Sequence, residues 1–121
     1  MQEQVEDDGE CRVLVIEDDE HQLSTLTELL TLEGFAVVTA TDGEAAWQRL
    51  LAGPVPDVIV LDLVLPGMDG WDFRAQQKRD PRFAAIPVVA LSGVGRLIDA
   101  AHSLKKPLRA QELMGLLAEL C

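Results

Sequence analysis

The residues in this chain best suited to chemistry are a few acids, a serine and a lysine, each ending a greasy stretch. Glu17 and Asp18 follow the run VLVI, Asp62 follows VIVL, Ser92 follows VVAL, and Lys106 stands before Pro107. Three carboxylates brought together repel one another and favour their protonated forms unless a cation intervenes. Oxygen-only ligands select a hard ion, and a few carboxylates completed by water suit Mg²⁺ better than Ca²⁺ or Zn²⁺. No His or Cys stands at these run ends to favour zinc. A carboxylate held there, as Asp62 would be, can attack phosphorus and form an acyl phosphate. Phosphoryl transfer then requires positioning and neutralisation of developing charge, to which Lys106 and the Ser92 hydroxyl can contribute.

Such a site needs elements that deliver these ends to one place. Cys11–Ile16, Phe35–Thr39, Val58–Leu61 and Pro87–Leu91 are short, β-branched-rich runs suited to strands buried on both faces. Between them lie predicted helices. His21–Glu33 carries Leu23, Leu26 and Leu30 at helical spacing and is stopped by Gly34. Asp42–Leu51 is broken by Gly53-Pro54, and a polar helix spans about Trp71 to Lys78. Arg96–Leu104 aligns Leu97, Ala101 and Leu104, and the last helix aligns Leu113, Leu116, Leu117 and Leu120. Asp19 reads as a helix cap and Asp69 as a turn former. His21 and His102 read as surface or packing residues, and Trp47 and Trp71 as packing residues. Alternating strands and helices predict an α/β domain with a doubly wound parallel sheet covered on both faces. Right-handed crossovers then place all strand C-termini on one edge, where ligands bind.

The 121 residues suffice for one domain, residues 11–121, preceded by an acidic tail over residues 1–10. A net charge of −11 and the lack of a broad basic surface argue against nucleic-acid binding. Asp62 interrupts the greasiest stretch, which leaves no membrane span, and the acidic N-terminus is unlike a secretion signal; a cytoplasmic protein is expected. Cys11 and Cys121 are too few for a disulfide framework or a Cys-rich metal site. Unpaired thiols fit a reducing compartment, with one bridge between the ends left open.

The segments VLVIEDDE, VIVLDLVLPGMDG, VVALSG and KKP resemble the receiver domain of two-component response regulators, over about residues 11–121. The resemblance implies a flavodoxin-like sheet of five parallel strands in the order 2-1-3-4-5. It also implies Asp62 as phosphoacceptor, Glu17 and Asp18 as the acidic Mg²⁺ pair, and Val64 as a metal-binding backbone carbonyl. Ser92 matches the family's hydroxyl switch and Lys106 its lysine, and a cis bond before Pro107 is implied as well. The partner would be a histidine kinase or a phosphotransfer protein, and the readout a changed surface near the fourth strand and the helix after it. The module would be a regulator rather than an enzyme.

The chain departs from the family pattern before Lys106. The predicted helix ends at Leu104 and runs directly into Lys105-Lys106-Pro107, leaving no room for a fifth strand, and Ser103 stands where the family carries an aromatic residue. Either the edge strand is missing or about 6–8 residues are absent between Leu104 and Lys105, and the need to cover the fourth strand favours the second. The resemblance also implies that the positions two past Asp62 and Ser92 flank the path of the attacking water; here they are Val64 and Val94, whose side chains cannot orient it, so slow self-dephosphorylation is expected. An alternative is a Mg²⁺-dependent phosphatase with an Asp nucleophile, similar to the haloacid dehalogenase family, but its second Asp is here Val64. A receiver-like docking domain independent of phosphate is the other alternative.

Overall fold

The computed structural model describes residues 10–62, 70–92, 102–105 and 109–121. Their elements follow in the order β1 (Arg12–Ile16), α1 (Glu20–Leu32), β2 (Ala36–Ala40), α2 (Gly43–Ala52), β3 (Val58–Asp62), α3 (Gly70–Arg79), β4 (Val88–Ser92), β5 (His102–Lys105) and α4 (Ala110–Leu120). The body of the sheet is β2-β1-β3-β4, all parallel, and the short β5 adds to the free edge of β4.

The twofold alternation of strand side chains explains the layers. Leu14 and Ile16 of β1, Ile59 and Leu61 of β3, and Val88 and Ala90 of β4 face one side, where they meet Ala46, Leu50 and Phe73 of α2 and α3. Val13, Val15, Val58, Val60, Val89 and Leu91 face the other, against Leu26 and Leu30 of α1 and Leu113 and Leu117 of α4. Burial on both faces is why these strands read as continuous apolar runs. Each fully buried leucine contributes about 1.5–3 kcal/mol through area removed from water. Trp47 of α2 lies edge-on to Phe73 and Phe83, at centroid distances of 6.1 and 5.5 Å, and so closes the first layer.

Helix boundaries have local causes. The Asp19 carboxylate accepts the Gln22 N–H at the start of α1, and Asp42 accepts the Ala45 N–H at the start of α2. Gly34 (φ +96°) and Gly53 (φ +68°) follow α1 and α2 in the positive-φ region that only glycine enters without strain. In α3, the buried Gln77 ties the helix to the segment leading into β4. Its amide donates to the Phe83 and Ile86 carbonyls at 2.9 and 3.1 Å, and its oxygen accepts from Arg74 at 2.8 Å.

Three expectations are corrected. Residues 102–104, the end of the helix expected over Arg96–Leu104, belong to β5, with His102 and Leu104 half-buried in the strand; residues 96–101 lie outside the described residues. The strand is continuous across Leu104–Lys105, with Leu104 opposite Leu91 and Lys105 opposite Ser92, so no 6–8 residues are absent there. Pairing covers the otherwise open edge of β4, and Leu104 packs on the α4 side of the sheet, which outweighs the helical spacing of a few apolar residues. The expectation of unpaired thiols is corrected as well: Cys11 and Cys121 are joined in a disulfide, with Cα atoms 5.7 Å apart. No helix among the described residues is long and apolar enough to cross a membrane.

Candidate metal centre at the carboxyl edge of the sheet

The strand register sets the site. Ile16 pairs with Leu61, so the next residues, Glu17 and Asp62, arrive level at the same edge. Asp62 in turn lies opposite Leu91, one residue before Ser92, whose partner on β5 is Lys105. The Glu17 N–H donates to the Ala40 carbonyl at 3.0 Å, which extends the β1–β2 ladder by one residue and fixes the backbone from which the acids project. Glu17 Oε2 accepts the Asp19 N–H at 3.2 Å, locking the turn between β1 and α1.

Carboxylate oxygens of Glu17, Asp18 and Asp62 all lie within 4.8 Å of one another. Glu17 and Asp62 are buried, at 1 % and 5 % exposure, and Asp18 is exposed. Three carboxylates this close form the oxygen-only donor set that suits a hard divalent cation. Oxygen atoms within 4.8 Å of one another can share one hard cation after modest side-chain adjustment. One exposed member leaves room for water ligands, in keeping with the reluctance of Mg²⁺ to dehydrate.

Of the residues singled out in the sequence, the structure thus brings Glu17, Asp18 and Asp62 together. It places the Ser92 backbone at the end of the neighbouring strand. Val64, Lys106, Asp69, Val94 and Pro107 lie outside the described residues. Asp19 caps α1 through its own carboxylate and is not part of the trio. Trp71 is half-buried against the first layer. Gln77 was missed: in the sequence it is one polar residue of a polar helix, and only the packing of Phe83 and Ile86 around it gives it a role.

Comparison with known proteins agrees with this geometry. Residues 13–117 match the family described as the response regulator receiver domain. The chain is 41 % identical over 96 residues to the response regulator PleD of Caulobacter vibrioides, covering 77 % of this chain and 21 % of PleD. It is 32 % identical over 112 residues to protein PilG of Pseudomonas aeruginosa, covering 86 % of this chain and 82 % of PilG. A response regulator receiver domain protein from Clostridium thermocellum superposes with a TM-score of 0.82 at 25 % identity, covering 91 % of this chain and 93 % of that one. The chain therefore spans about a fifth of PleD and most of PilG. Proteins of this kind are regulatory signalling modules that bind Mg²⁺ at an acidic pocket and work with histidine kinases or phosphotransfer proteins. A match running from β1 into the last turn of α4, over most of the chain, makes it a member of the response regulator receiver domain family.

Proposed function

We propose that residues 11–121 form a phosphoacceptor module of a two-component phosphorelay, in which Asp62 takes a phosphoryl group from a histidine kinase or phosphotransfer protein. The observation that carries this reading is the convergence of Glu17, Asp18 and Asp62 at the carboxyl edge of the sheet. An Asp62 carboxylate oxygen attacks phosphorus, the P–N bond to the donor imidazole breaks, and its electron pair stays on the ring nitrogen. Glu17, Asp18, Asp62 and the Val64 carbonyl would hold Mg²⁺, which supplies neutralisation of the phosphoryl charge. The Ser92 hydroxyl donates to a phosphoryl oxygen and the Lys106 ammonium offsets the added charge. Drawing these two groups inward alters the surface near β4, the local event on which a downstream partner acts. With valine at positions 64 and 94, no side chain there can orient water, so hydrolysis of the acyl phosphate is slow. The net charge of −11 disfavours nucleic acid as a direct partner, and a cytoplasmic setting suits a kinase partner.

Incubation with acetyl phosphate and Mg²⁺, read by intact mass, tests this. The expected result is a gain of one phosphoryl group, absent with Asp62→Asn or with EDTA, and persisting for minutes after the donor is removed. Unchanged mass in the wild-type protein, or an equal gain in Asp62→Asn, overturns the assignment of Asp62. Decay within seconds overturns the role given to the two valines.

A further inference from the structure

The terminal disulfide lies away from the acidic trio and has no part in the proposed phosphoryl chemistry. Cys11 immediately precedes β1, and its carbonyl accepts the Ala36 N–H at 2.9 Å, so its backbone belongs to the β1–β2 ladder. Cys121 caps α4, its N–H donating to the Leu117 carbonyl at 3.1 Å. Separate hydrogen bonds thus hold the two backbones, with Cα atoms 5.7 Å apart, inside the span of about 4.4–6.8 Å that a disulfide bridges. Cys11 is half-buried against the second core layer, while Cys121 is exposed and open to a thiol reagent.

The helix that this bridge holds has apolar contacts along one face but little polar anchoring at its ends. Arg109 at its N-cap makes no side-chain capping hydrogen bond, and no basic residue stands in its last turn. Glu119 lies near the C-terminus, where the helix dipole disfavours an acid. Gly115 sits mid-helix, where glycine is unfavourable relative to alanine. Leu113 and Leu117 are its fully buried contacts, Met114, Leu116 and Leu120 pack half-buried against the same layer, and the residues beside Cys121 add only Leu120 to that packing.

We propose that Cys11 and Cys121 form a reversible dithiol–disulfide site whose closed state clasps the C-terminal turn of α4 to the start of β1. A dithiol reductant opens it. The Cys11–Cys121 S–S bond breaks, each sulfur gains one electron and one proton, and the reductant's two thiols become a disulfide. Glutathione disulfide closes the site by the reverse exchange, releasing two molecules of glutathione. Oxidation state then sets whether the end of α4 is docked or free, independently of whether Asp62 carries a phosphoryl group.

The full chain, treated with glutathione disulfide or with dithiothreitol, is alkylated with iodoacetamide and weighed, and amide exchange is followed in parallel. The oxidised protein should take up no alkyl group and the reduced protein two. Exchange over residues 117–121 should quicken about tenfold or more on reduction, while β3 stays unchanged. The Cys11→Ser/Cys121→Ser double variant should exchange at the fast rate with or without reductant. Alkylation of both cysteines after oxidation, or a glutathione adduct or bridged dimer in place of the internal bond, overturns the site. Equal exchange over residues 117–121 in both states overturns the clasp.

Discussion

Gln77→Met should destabilise the protein by about 2–4 kcal/mol without disturbing the acidic trio. Methionine is close to glutamine in volume, so the substitution tests hydrogen bonds rather than a cavity. Three bonds are lost, and they are not equal. The Phe83 carbonyl retains the Ile86 N–H at 3.1 Å, so losing the Gln77 donor costs about 0.5–1.5 kcal/mol. The Ile86 carbonyl sits on a buried residue, and withdrawing its donor costs about 1–3 kcal/mol. Arg74 is partly buried, with a guanidinium pKa lowered by desolvation, and can turn toward water, so its lost bond adds about 1 kcal/mol at most. Equilibrium urea denaturation reads the sum. With m near about 1.5 kcal/mol/M, the midpoint should fall by about 1–3 M at unchanged m. Gln77→Glu offers a contrast: a carboxylate facing two carbonyl oxygens is repelled, so this variant should lose more stability at pH 8 than at pH 5. A Gln77→Met loss below about 1 kcal/mol, or a change in m in place of the midpoint, would refute the role given to Gln77 in tying α3 to β4.

Two other predictions concern the surface. Asp42→Ala removes the acceptor of the 2.7 Å bond from the Ala45 N–H and should cost about 1 kcal/mol in the same denaturation experiment, with no loss pointing instead to capping by water. Hydrogen bonds from Arg82 hold the Asp80 carboxyl below the ordinary aspartate range. Its small contribution to stability is therefore present above the unfolded-state pKa and is lost as pH falls through the folded one. Arg82→Ala should move the Asp80 titration upward, followed by the NMR shift of its carboxyl carbon, and an unmoved midpoint would contradict the pairing.

The acids were legible in the sequence because of what precedes them. A strand buried on both faces must be apolar throughout, so VLVI, VIVL and VVAL announce themselves, and the first polar residue after each is by construction at an edge of the sheet. Asp19 was likewise readable, since a cap acts within its own turn, whereas Asp42, taken as the first residue of its helix, is in fact its cap. β5 was not. His102–Lys105 contains one apolar side chain, and at the sheet edge its pairing with β4 is stabilised by backbone groups that carry no residue signature. Leu104 satisfied a helical spacing on paper and a strand in space. The Cys11–Cys121 bridge was hidden for a different reason, because two cysteines 110 positions apart carry no local trace of whether their Cα atoms meet.

This difference in legibility follows a physical asymmetry within the site. Glu17, Asp18 and Asp62 stand on or beside β1 and β3, each of which pairs with strands on both sides and is buried along nearly its whole length. Their backbone positions cannot shift without breaking two ladders at once. Lys106 instead follows in sequence the last residue of β5, a four-residue strand paired on one side only. An edge strand opens at lower free energy than a central one. On the phosphoacceptor reading, the acidic half of the site is the fixed frame, and the half reached through β4 and β5 can yield when charge is added to Asp62. Movement should therefore be confined to the β4–β5 side, and β1–β3 should keep its register whether or not the aspartate is modified.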